Sequence, residues 1–396
     1  MTTLDTGPQT APRASFFNDP VIRGIIYQVV VAALIISFIA WIIGNTAANL
    51  AAQNKTTGFD FLWRTAGFDI SFSLLPWSRA SYYYEAFLVG LLNTLLVAVV
   101  GIFFATILGF TIGIARLSSN FIVSSLATIY IEVIRNIPLL LQLFFWYFAV
   151  LKAMPSVRNS FELPFDSFIN QRGVMVPRPI PDEQFGFVWL GLALAIVAII
   201  ALSRWAKKRL DATGQRFPVF LTSVVLLLGV TSFVFWISGA SVAFEIPVLE
   251  RFNFRGGLQL PPEFIGLAFG LIIYTAAFIA ETVRGGIQSV SHGQTEAAAS
   301  LGLKEGDRLR LVIVPQAMRV IVPPLTSQYL NLTKNSSLGA AIGYPELVNV
   351  FAGTSLNQTG RAIECIAIVM LVYLTFSLLT SAIMNWYNGR VKLVER

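Results

Sequence analysis

The stretch TEAAASLGLKEGDRLRLVIVP, residues 295–315, lies between two long apolar runs of the chain. It is rich in alanine, carries charges of both signs and has Gly302 near its centre. Helices commonly end at a glycine, so we expect a first short helix to end at Gly302. Gly306 and Asp307 offer the start of a second helix, with Asp307 as its candidate cap.

The first of these short helices presents small side chains to its surroundings. Thr295 is its candidate N-cap, and Ala297, Ala298 and Leu301 are predicted to share one face. Small alanines allow another surface to come close, and no side chain here can do chemistry. The pattern fits a docking surface, although an ordinary amphipathic loop helix would show the same periodicity.

The composition as a whole indicates an integral membrane protein. Of the 396 residues, 55% are hydrophobic and 12% are charged, with a mean hydropathy of +0.69, whereas soluble domains carry about 25% charged residues. A single cysteine, Cys365, excludes an internal disulfide framework, and a single histidine, His292, argues against a Cys/His metal site. The excess of 28 Lys and Arg over 21 Asp and Glu is more typical of loops facing anionic lipid than of nucleic-acid binding.

Eight apolar runs are long enough to cross a hydrocarbon core of about 30 Å as helices. The predicted fold class is therefore all-α, a polytopic membrane protein of about eight transmembrane helices. Glycine pairs in 109–113 and 266–270 fit close helix contacts of the small-xxx-small type. The predicted spans are 21–44, 86–115, 121–151, 186–203, 217–239, 263–283, 317–341 and 361–386.

Charge bias orients these spans. Five cations follow the fourth span in a short connection, which the positive-inside rule assigns to the cytoplasm. By parity, the strip around Gly302 and both termini, 1–20 and 388–396, are then cytoplasmic, and residues 45–85 form a periplasmic loop. The first span, 21–44, precedes AANLAA as a signal peptide could, but its length favours a retained anchor. The five cations are Arg204, Lys207, Lys208, Arg209 and Arg216.

Two Glu-x-x-Arg pairs lie inside predicted spans. Their spacing puts Glu132 with Arg135, and Glu281 with Arg284, on one helical face. Ions at membrane depth are costly unless they pair or meet water. Two roles stay open: local salt bridges near the cytoplasmic ends of the spans, or charges that line a gate or a translocation path.

Prolines are predicted to break two of the spans. Pro138 removes a backbone hydrogen bond inside a long apolar run, so a kink is expected there. Pro323 and Pro324 are predicted to interrupt the seventh span, whose outer half is polar. Interrupted helices in transporters often bind solute, although Lys334 could equally extend to the outer interface. The candidate substrate path comprises Glu132, Arg135, Gln142, Glu281, Asn331, Lys334, Asn335 and Ser336.

The strip 295–315 resembles the EAA loop of permease subunits of bacterial ABC importers. The matching positions are Glu296, Ala297, Ala298 and Gly302, followed by Val-Ile-Val-Pro where Ile-x-Leu-Pro is usual. The chain is also similar to the polar amino acid uptake branch in YTAAFIAETVRGG, PPLTSQYLNLTKNSSLGAAIGYPEL and IYIEVIRNIPLLLQLFF. Its extra first span and a hairpin of two further spans resemble the enlarged Q-type permease of the general L-amino-acid transporters.

The resemblance implies an architecture and a set of partners. A five-helix (MetI-like) core is expected within residues 86–387, with an inserted helical hairpin at 186–239 and a cytoplasmic coupling loop at 285–316. The expected partners are a second homologous permease subunit, two cytoplasmic ATPase subunits, a periplasmic binding protein, an L-amino acid and membrane lipid, in the bacterial inner membrane. The implied ATPase-coupling residues are Glu296, Ala297, Ala298, Leu301 and Gly302.

ATP hydrolysis is expected on another subunit. The sequence contains no G-x-x-x-x-G-K-[ST] motif to cradle phosphate. We therefore expect a non-catalytic chain that binds no cofactor itself, with ATP and Mg²⁺ on the partner ATPase. The alternative from another class is an ion-gradient-driven secondary transporter or channel without an ATPase, which the intramembrane charges favour and the EAA strip does not.

Overall fold

The computed structural model describes residues 20–52, 58–215 and 217–391, most of which are helical. Seven helices in this part of the chain are long and apolar enough to cross a membrane, and a bent helix pair is an eighth candidate. The prediction of a polytopic helical protein with about eight spans is confirmed. Outside the described residues lie 1–19, 53–57, Arg216 and 392–396, and with them most of both predicted terminal segments.

The helices follow the apolar runs. Each predicted span falls on a helix or, for the third, on the bent pair. The helices are α1 Pro20–Ala52, α2 Tyr83–Arg116, α3 Phe121–Asn136, α4 Leu139–Phe144, α5 Phe185–Thr213, α6 Val219–Ile237, α7 Pro262–Gln288, α8 His292–Ser300, α9 Glu305–Arg308, α10 Val314–Asn335, α11 Leu356–Thr359 and α12 Ala362–Val391. Wider π-helical turns follow α4 (Phe145–Leu151) and α9 (Leu309–Ile313) and precede α11 (Val348–Ser355), and a 3₁₀ segment follows α10 (Ser336–Ile342).

Helices α2 and α7 form the centre of the bundle and pack at glycines. A β-carbon on Gly109 would lie 2.6 Å from the Cβ of Ile279, and one on Gly113 would lie 2.7 Å from the carbonyl oxygen of Ala280. On α7, a β-carbon on Gly270 would lie 2.5 Å from a methyl carbon of a leucine in α4. Such distances leave no room for a larger residue, so the predicted close helix contacts are confirmed.

The third predicted span is bent at Pro138. Helix α3 ends at Asn136, α4 begins at Leu139, and the two parts of the span differ in direction by 106°. Pro138 has no N–H to donate to the carbonyl of Ile134, four residues earlier. The residue before a proline also avoids helical angles, and Ile137 has φ −101° and ψ 129°. The kink predicted at this proline is confirmed.

The prediction that prolines interrupt the seventh span is wrong. Helix α10 continues through both Pro323 and Pro324. The neighbouring Val322 and Leu325 are 1% and 4% exposed, so packing against the core holds the helix on both sides of the missing hydrogen bonds. Regular α-helix gives way only later, at the 3₁₀ segment Ser336–Ile342.

Eight short strands, which the sequence pattern does not predict, lie between the helices at one end of the bundle. Four form an antiparallel sheet in the order β1-β2-β3-β8, and β4 with β5 and β6 with β7 form two-stranded ribbons. They come from the segments on either side of the α5–α6 pair, and we call them the strand cap. Their bounds are β1 Phe161–Leu163, β2 Ser167–Asn170, β3 Gly173–Val176, β4 Arg178–Pro181, β5 Val242–Glu245, β6 Val248–Glu250, β7 Asn253–Arg255 and β8 Leu258–Leu260.

Residues 58–82 close the same end of the bundle. Phe72 in this segment stacks on Phe264, near the start of α7, with ring centroids 6.0 Å apart. Asp60 accepts a 3.0 Å hydrogen bond from Arg361, just before α12. We call this end, with the strand cap, the cap end, and we call the opposite end, which carries α8 and α9, the loop end.

Candidate functional site

A tight turn ends α8 at the loop end. The Leu303 N–H donates to the carbonyl of Ala298 at 3.2 Å, and the Gly302 N–H donates to the carbonyl of Ala299 at 2.9 Å. These two bonds are the Schellman arrangement of a helix C-terminus. Gly302 has φ +76°, a left-handed value that glycine adopts without steric cost. The predicted helix end at Gly302 is confirmed. We call residues 298–303, which include the candidate coupling residues Leu301 and Gly302, the coupling turn.

The two short helices begin earlier than predicted. Helix α8 begins after Ser291, so Thr295 lies inside the helix and does not cap it. Helix α9 begins after Lys304, so Asp307 also lies in a helical turn. Ser291 and Lys304 have extended backbone, with ψ of 142° and 156°, and neither makes a side-chain capping bond. Backbone direction, rather than a capping side chain, therefore sets both helix starts.

The side chains of α8 divide between two surfaces. Ala298 is 3% exposed and packs within the chain, whereas Leu301 is 81% exposed. Glu296 and Ala297 are also exposed. The predicted common face of Ala297, Ala298 and Leu301 does not form. Ala298 turns inward, whereas Ala297 points about 100° away from it around the helix and Leu301 lies beyond the last helical residue, Ser300. The loop end therefore exposes an apolar corner at Leu301 beside Ala297.

An ion cluster ties three helices together near the loop end. Arg116, at the end of α2, contacts Glu281 of α7 at 2.5 Å and Glu132 of α3 at 3.3 Å. Arg284 contacts Glu281 at 2.6 Å and donates to Gln288 at 2.5 Å. The side chains of Arg116 and Glu281 are 18% and 26% exposed, so one carboxylate lies between two cations in a partly desolvated site.

The two predicted Glu-x-x-Arg pairs have different outcomes. The pair in α7 forms, but Glu132 contacts Arg116 and forms no described salt bridge with Arg135. The Arg135 guanidinium instead lies over the ring of Phe278, 5.3 Å from its centroid. A cation from another helix thus replaces the local one, and Arg135 gains a cation–π contact. Sequence reasoning missed Arg116, whose only signal was its position as the last residue of an apolar run.

Gln142 stabilises the bend in the third span. Its side chain is 5% exposed, and its Nε2 donates to the carbonyls of Ile134 and Ile137, both at 2.9 Å. The Ile134 carbonyl is the acceptor that Pro138 leaves without a backbone donor. Gln142 is also a predicted residue of the substrate path, and its position four residues after the proline is the sequence signal for this contact.

A partly polar cavity of about 300 Å³ lies between α7 and α10. Asn331 and Asn335, both predicted path residues, line it, whereas Lys334 is exposed outside this lining. Ser336 is buried and donates to the carbonyl of Thr333 at 2.7 Å. The amides supply both donors and acceptors, and aromatic rings supply apolar walls, as small-molecule sites require. The lining residues are Tyr274, Thr275, Phe278, Gln328, Asn331 and Asn335.

The cavity and the ion cluster are neighbours along α7. Phe278 lines the cavity and carries Arg135 on its ring. Glu281 follows one helical turn later, about 5 Å further toward the loop end. The bundle therefore combines a polar cavity, an ion cluster beside it and an exposed coupling turn, which is the layout of a membrane transport protein.

Comparison with known proteins defines that class more closely. Residues 209–393 match the family model described as "Binding-protein-dependent transport system inner membrane component". The general L-amino acid transport system permease protein AapQ of Rhizobium johnstonii is 51% identical over 99% of both chains. The putative amino-acid ABC transporter permease protein YhdX of Escherichia coli is 48% identical, over 96% of this chain and 97% of the relative.

A third relative has the same extent. The glutamate/glutamine/aspartate/asparagine transport system permease protein BztB of Rhodobacter capsulatus is 42% identical, over 97% of this chain and 98% of its own. Matches of this length cover the first helix, the α5–α6 pair and the strand cap as well as the core. The chain belongs to the family of amino-acid ABC transporter permeases.

Proposed function

We propose that this chain is the permease subunit through which an ABC importer moves L-amino acids across the bacterial inner membrane. A periplasmic binding protein delivers the amino acid, a second homologous permease completes the pathway, and two ATPase subunits bind Mg²⁺ and ATP and hydrolyse the ATP. The names of the full-length relatives support this proposal. The alternative, an ion-gradient transporter, rests on intramembrane charges, but Glu281 already pairs with Arg116 and Arg284.

The single observation that carries the coupling role is the exposed coupling turn. Leu301 extends from it at the loop end, which the positive-inside rule assigns to the cytoplasm together with both termini. Ala298 packs inward, and Gln294 of α8 accepts a 3.3 Å hydrogen bond from Gln316 of α10. A displacement of α8 by the ATPase is therefore passed directly to the start of α10, a helix that lines the cavity.

Site-directed labelling tests the coupling role and the orientation together. Cys365 is the only cysteine and is buried, so Leu301→Cys in a Cys365→Ser background supplies one reactive thiol. We expect a membrane-impermeant maleimide to label it in inside-out vesicles only, and the ATPase subunits to slow that labelling. Phe165→Cys, 89% exposed at the cap end, is the matched control and should react from the outside. Labelling of Leu301→Cys from the outside, or labelling that the ATPase leaves unchanged, would argue against the proposal.

The substrate path is proposed to run along α10 past the cavity. Amide groups of Gln328, Asn331 and Asn335 can donate to a carboxylate and accept from an ammonium group, the two charged ends shared by all L-amino acids. Lys334 and Ser336 follow at the cap end, where the solute would enter. Gln142 lies on the proposed path in the bend of the third span. Glu132, Arg135 and Glu281 complete the path at the loop end, where the ion cluster would act as a gate between α2, α3 and α7.

Uptake kinetics test this path. We expect Lys334→Ala combined with Asn335→Ala to raise the apparent KM for the transported amino acid at least about ten-fold, as expected when two polar contacts worth about 1 kcal/mol each are lost. Thr111→Ala is the control, since Thr111 is exposed on α2 and its hydroxyl donates to the backbone of its own helix. Unchanged uptake kinetics in the double variant would show that the substrate path does not run along α10. Uptake by the purified single chain in ATP-free liposomes would establish the ion-gradient alternative instead.

A further inference from the structure

The pair of helices α5 and α6 stands apart from the two hydrophobic cores. Neither core cluster in the described part of the chain contains a residue of Phe185–Ile237, and α6 buries none of its own side chains. The two helices pack on each other at Gly191, where a β-carbon would lie 2.9 Å from a methyl carbon of Val234. Their outer surfaces therefore face surrounding lipid rather than the rest of this chain.

The end of α5 reaches beyond the apolar layer. Helix α5 has 29 residues, a length of about 43 Å, whereas the hydrocarbon core is about 30 Å thick. Trp205 is 47% exposed and contacts Phe217 edge to face, with ring centroids 5.3 Å apart. Amphipathic rings prefer the headgroup level of a bilayer. The last turns of α5, from Trp205 onward, therefore lie among lipid headgroups.

This end of α5 is strongly basic. Arg204, Lys207 and Lys208 follow helical spacing and are exposed, and no described salt bridge involves any of them. Arg209 lies over the Trp205 ring at 5.4 Å and donates to Gln215 at 3.1 Å. Asp211 follows two residues later and is the acidic residue of this helical end. Four cations thus face the headgroup level with one carboxylate beside them.

A groove lies against the same cations. It measures about 320 Å³, opens between the end of α5 and the start of α6, and has mostly apolar walls with Lys207 at its side. The first methylene groups of an acyl chain fit apolar walls, and a phosphate pairs with the ammonium group of Lys207. The lining residues are Ser203, Ala206, Lys207, Leu210, Phe217 and Val219.

We propose that this groove and its cations form a binding site for an anionic phospholipid. The phosphate group contacts Lys207 with Arg204 and Lys208 beside it, and the first part of an acyl chain lies in the groove against Leu210 and Phe217. A zwitterionic lipid binds less tightly because its own ammonium group meets the same cations. The site is independent of the coupling turn and of the substrate path.

Lipid retention by the purified, full-length transporter tests the site. The assembled complex is exchanged into micelles that contain phosphatidylglycerol or phosphatidylcholine, and bound lipid is counted by native mass spectrometry. We expect phosphatidylglycerol to be preferred by the native protein. The triple variant Arg204→Gln, Lys207→Gln, Lys208→Gln should lose on the order of 100-fold in apparent affinity, at about five-fold for each cation near a charged surface.

Two matched variants distinguish a site from a general effect of charge. Arg172→Gln, Arg178→Gln, Arg251→Gln removes three exposed cations at the cap end and should retain phosphatidylglycerol like the native chain. The double variant Lys207→Arg, Lys208→Arg keeps the positive charge and should also retain phosphatidylglycerol. The proposal would be overturned if the triple variant at Arg204, Lys207 and Lys208 retained as much phosphatidylglycerol as the native chain. It would also be overturned if the cap-end variant lost as much as that triple variant. Displacement of the lipid by millimolar inorganic phosphate would also overturn it, since it would show a plain anion site.

Discussion

Substitution of Gly302 tests the coupling turn through its backbone. At φ +76° an L-residue with a β-carbon is strained by about 1 to 2 kcal/mol. Apart from its two chain neighbours, no described residue has an atom within 4 Å of a β-carbon built there, so crowding by them adds nothing. In the proposed coupling role the docked state requires the turn, whereas the free loop can relax, so we expect the strain to lower the free energy of docking. About 1 kcal/mol corresponds to about a five-fold weaker association.

A graded series separates the turn from its surroundings. Asparagine tolerates left-handed backbone, so Gly302→Asn should weaken association with the ATPase about two-fold at most. Gly302→Ala should weaken it about five-fold, and the β-branched Gly302→Val should weaken it by more than about 30-fold, for a strain above 2 kcal/mol. Gly306 is the control, since it is helical, has open space around it and lacks a positive φ. Gly306→Ala should be neutral.

The assay is binding of the purified ATPase to the solubilised permease, followed by uptake and stimulated ATP hydrolysis in proteoliposomes. The expected order of decreasing affinity for the ATPase is Gly, Asn, Ala and Val at position 302, and uptake should fall in the same order. Native association and uptake in Gly302→Val would refute the reasoning, because the strained turn would then be irrelevant to docking. If Gly302→Asn weakened association as much as Gly302→Val, docking would depend on free space around the turn rather than on its left-handed backbone.

Three further substitutions test the packing that supports the site. Gln142→Leu removes the side-chain donor to two part-buried carbonyls, so we expect a loss of about 1 to 3 kcal/mol in stability, seen as a lower unfolding temperature in detergent. Glu281→Gln removes the carboxylate between Arg116 and Arg284; because the site is about a quarter exposed, we expect a loss of about 1 to 2 kcal/mol and only partial recovery with Glu281→Asp. Gly113→Val forces α2 away from α7 and should cost more than about 2 kcal/mol, whereas Gly285→Ala, with open space around it, should not. A native unfolding temperature in any of the three variants would contradict the corresponding contact.

The sequence predicts the parts of this fold that depend on local pattern. Apolar runs predict the spans because a membrane selects for length and hydropathy alone. Gly302 ends α8 and Pro138 bends the third span, since each acts through its own backbone geometry. The strand cap escapes prediction because strands of three or four residues are too short to show an alternating pattern.

Features set by tertiary contact could not be predicted in the same way. Arg116 comes from another helix to contact Glu132, so the local spacing with Arg135 gives the wrong partner. Buried neighbours hold α10 together through Pro323 and Pro324, although proline alone would suggest a break. The cavity between α7 and α10 depends on two helices meeting, and of its lining residues the two asparagines of α10 are predicted path residues.

Reconstitution tests the central claim most directly. The chain is to be purified by a tag from bacterial membranes, its bound partners identified, and ATP hydrolysis measured in liposomes with and without the amino-acid-loaded binding protein. We predict recovery of a second permease and an ATPase, with hydrolysis that rises when the loaded binding protein is added and that falls in Gly302→Val. Recovery of the chain alone, with amino-acid uptake that needs no ATP, would contradict the account.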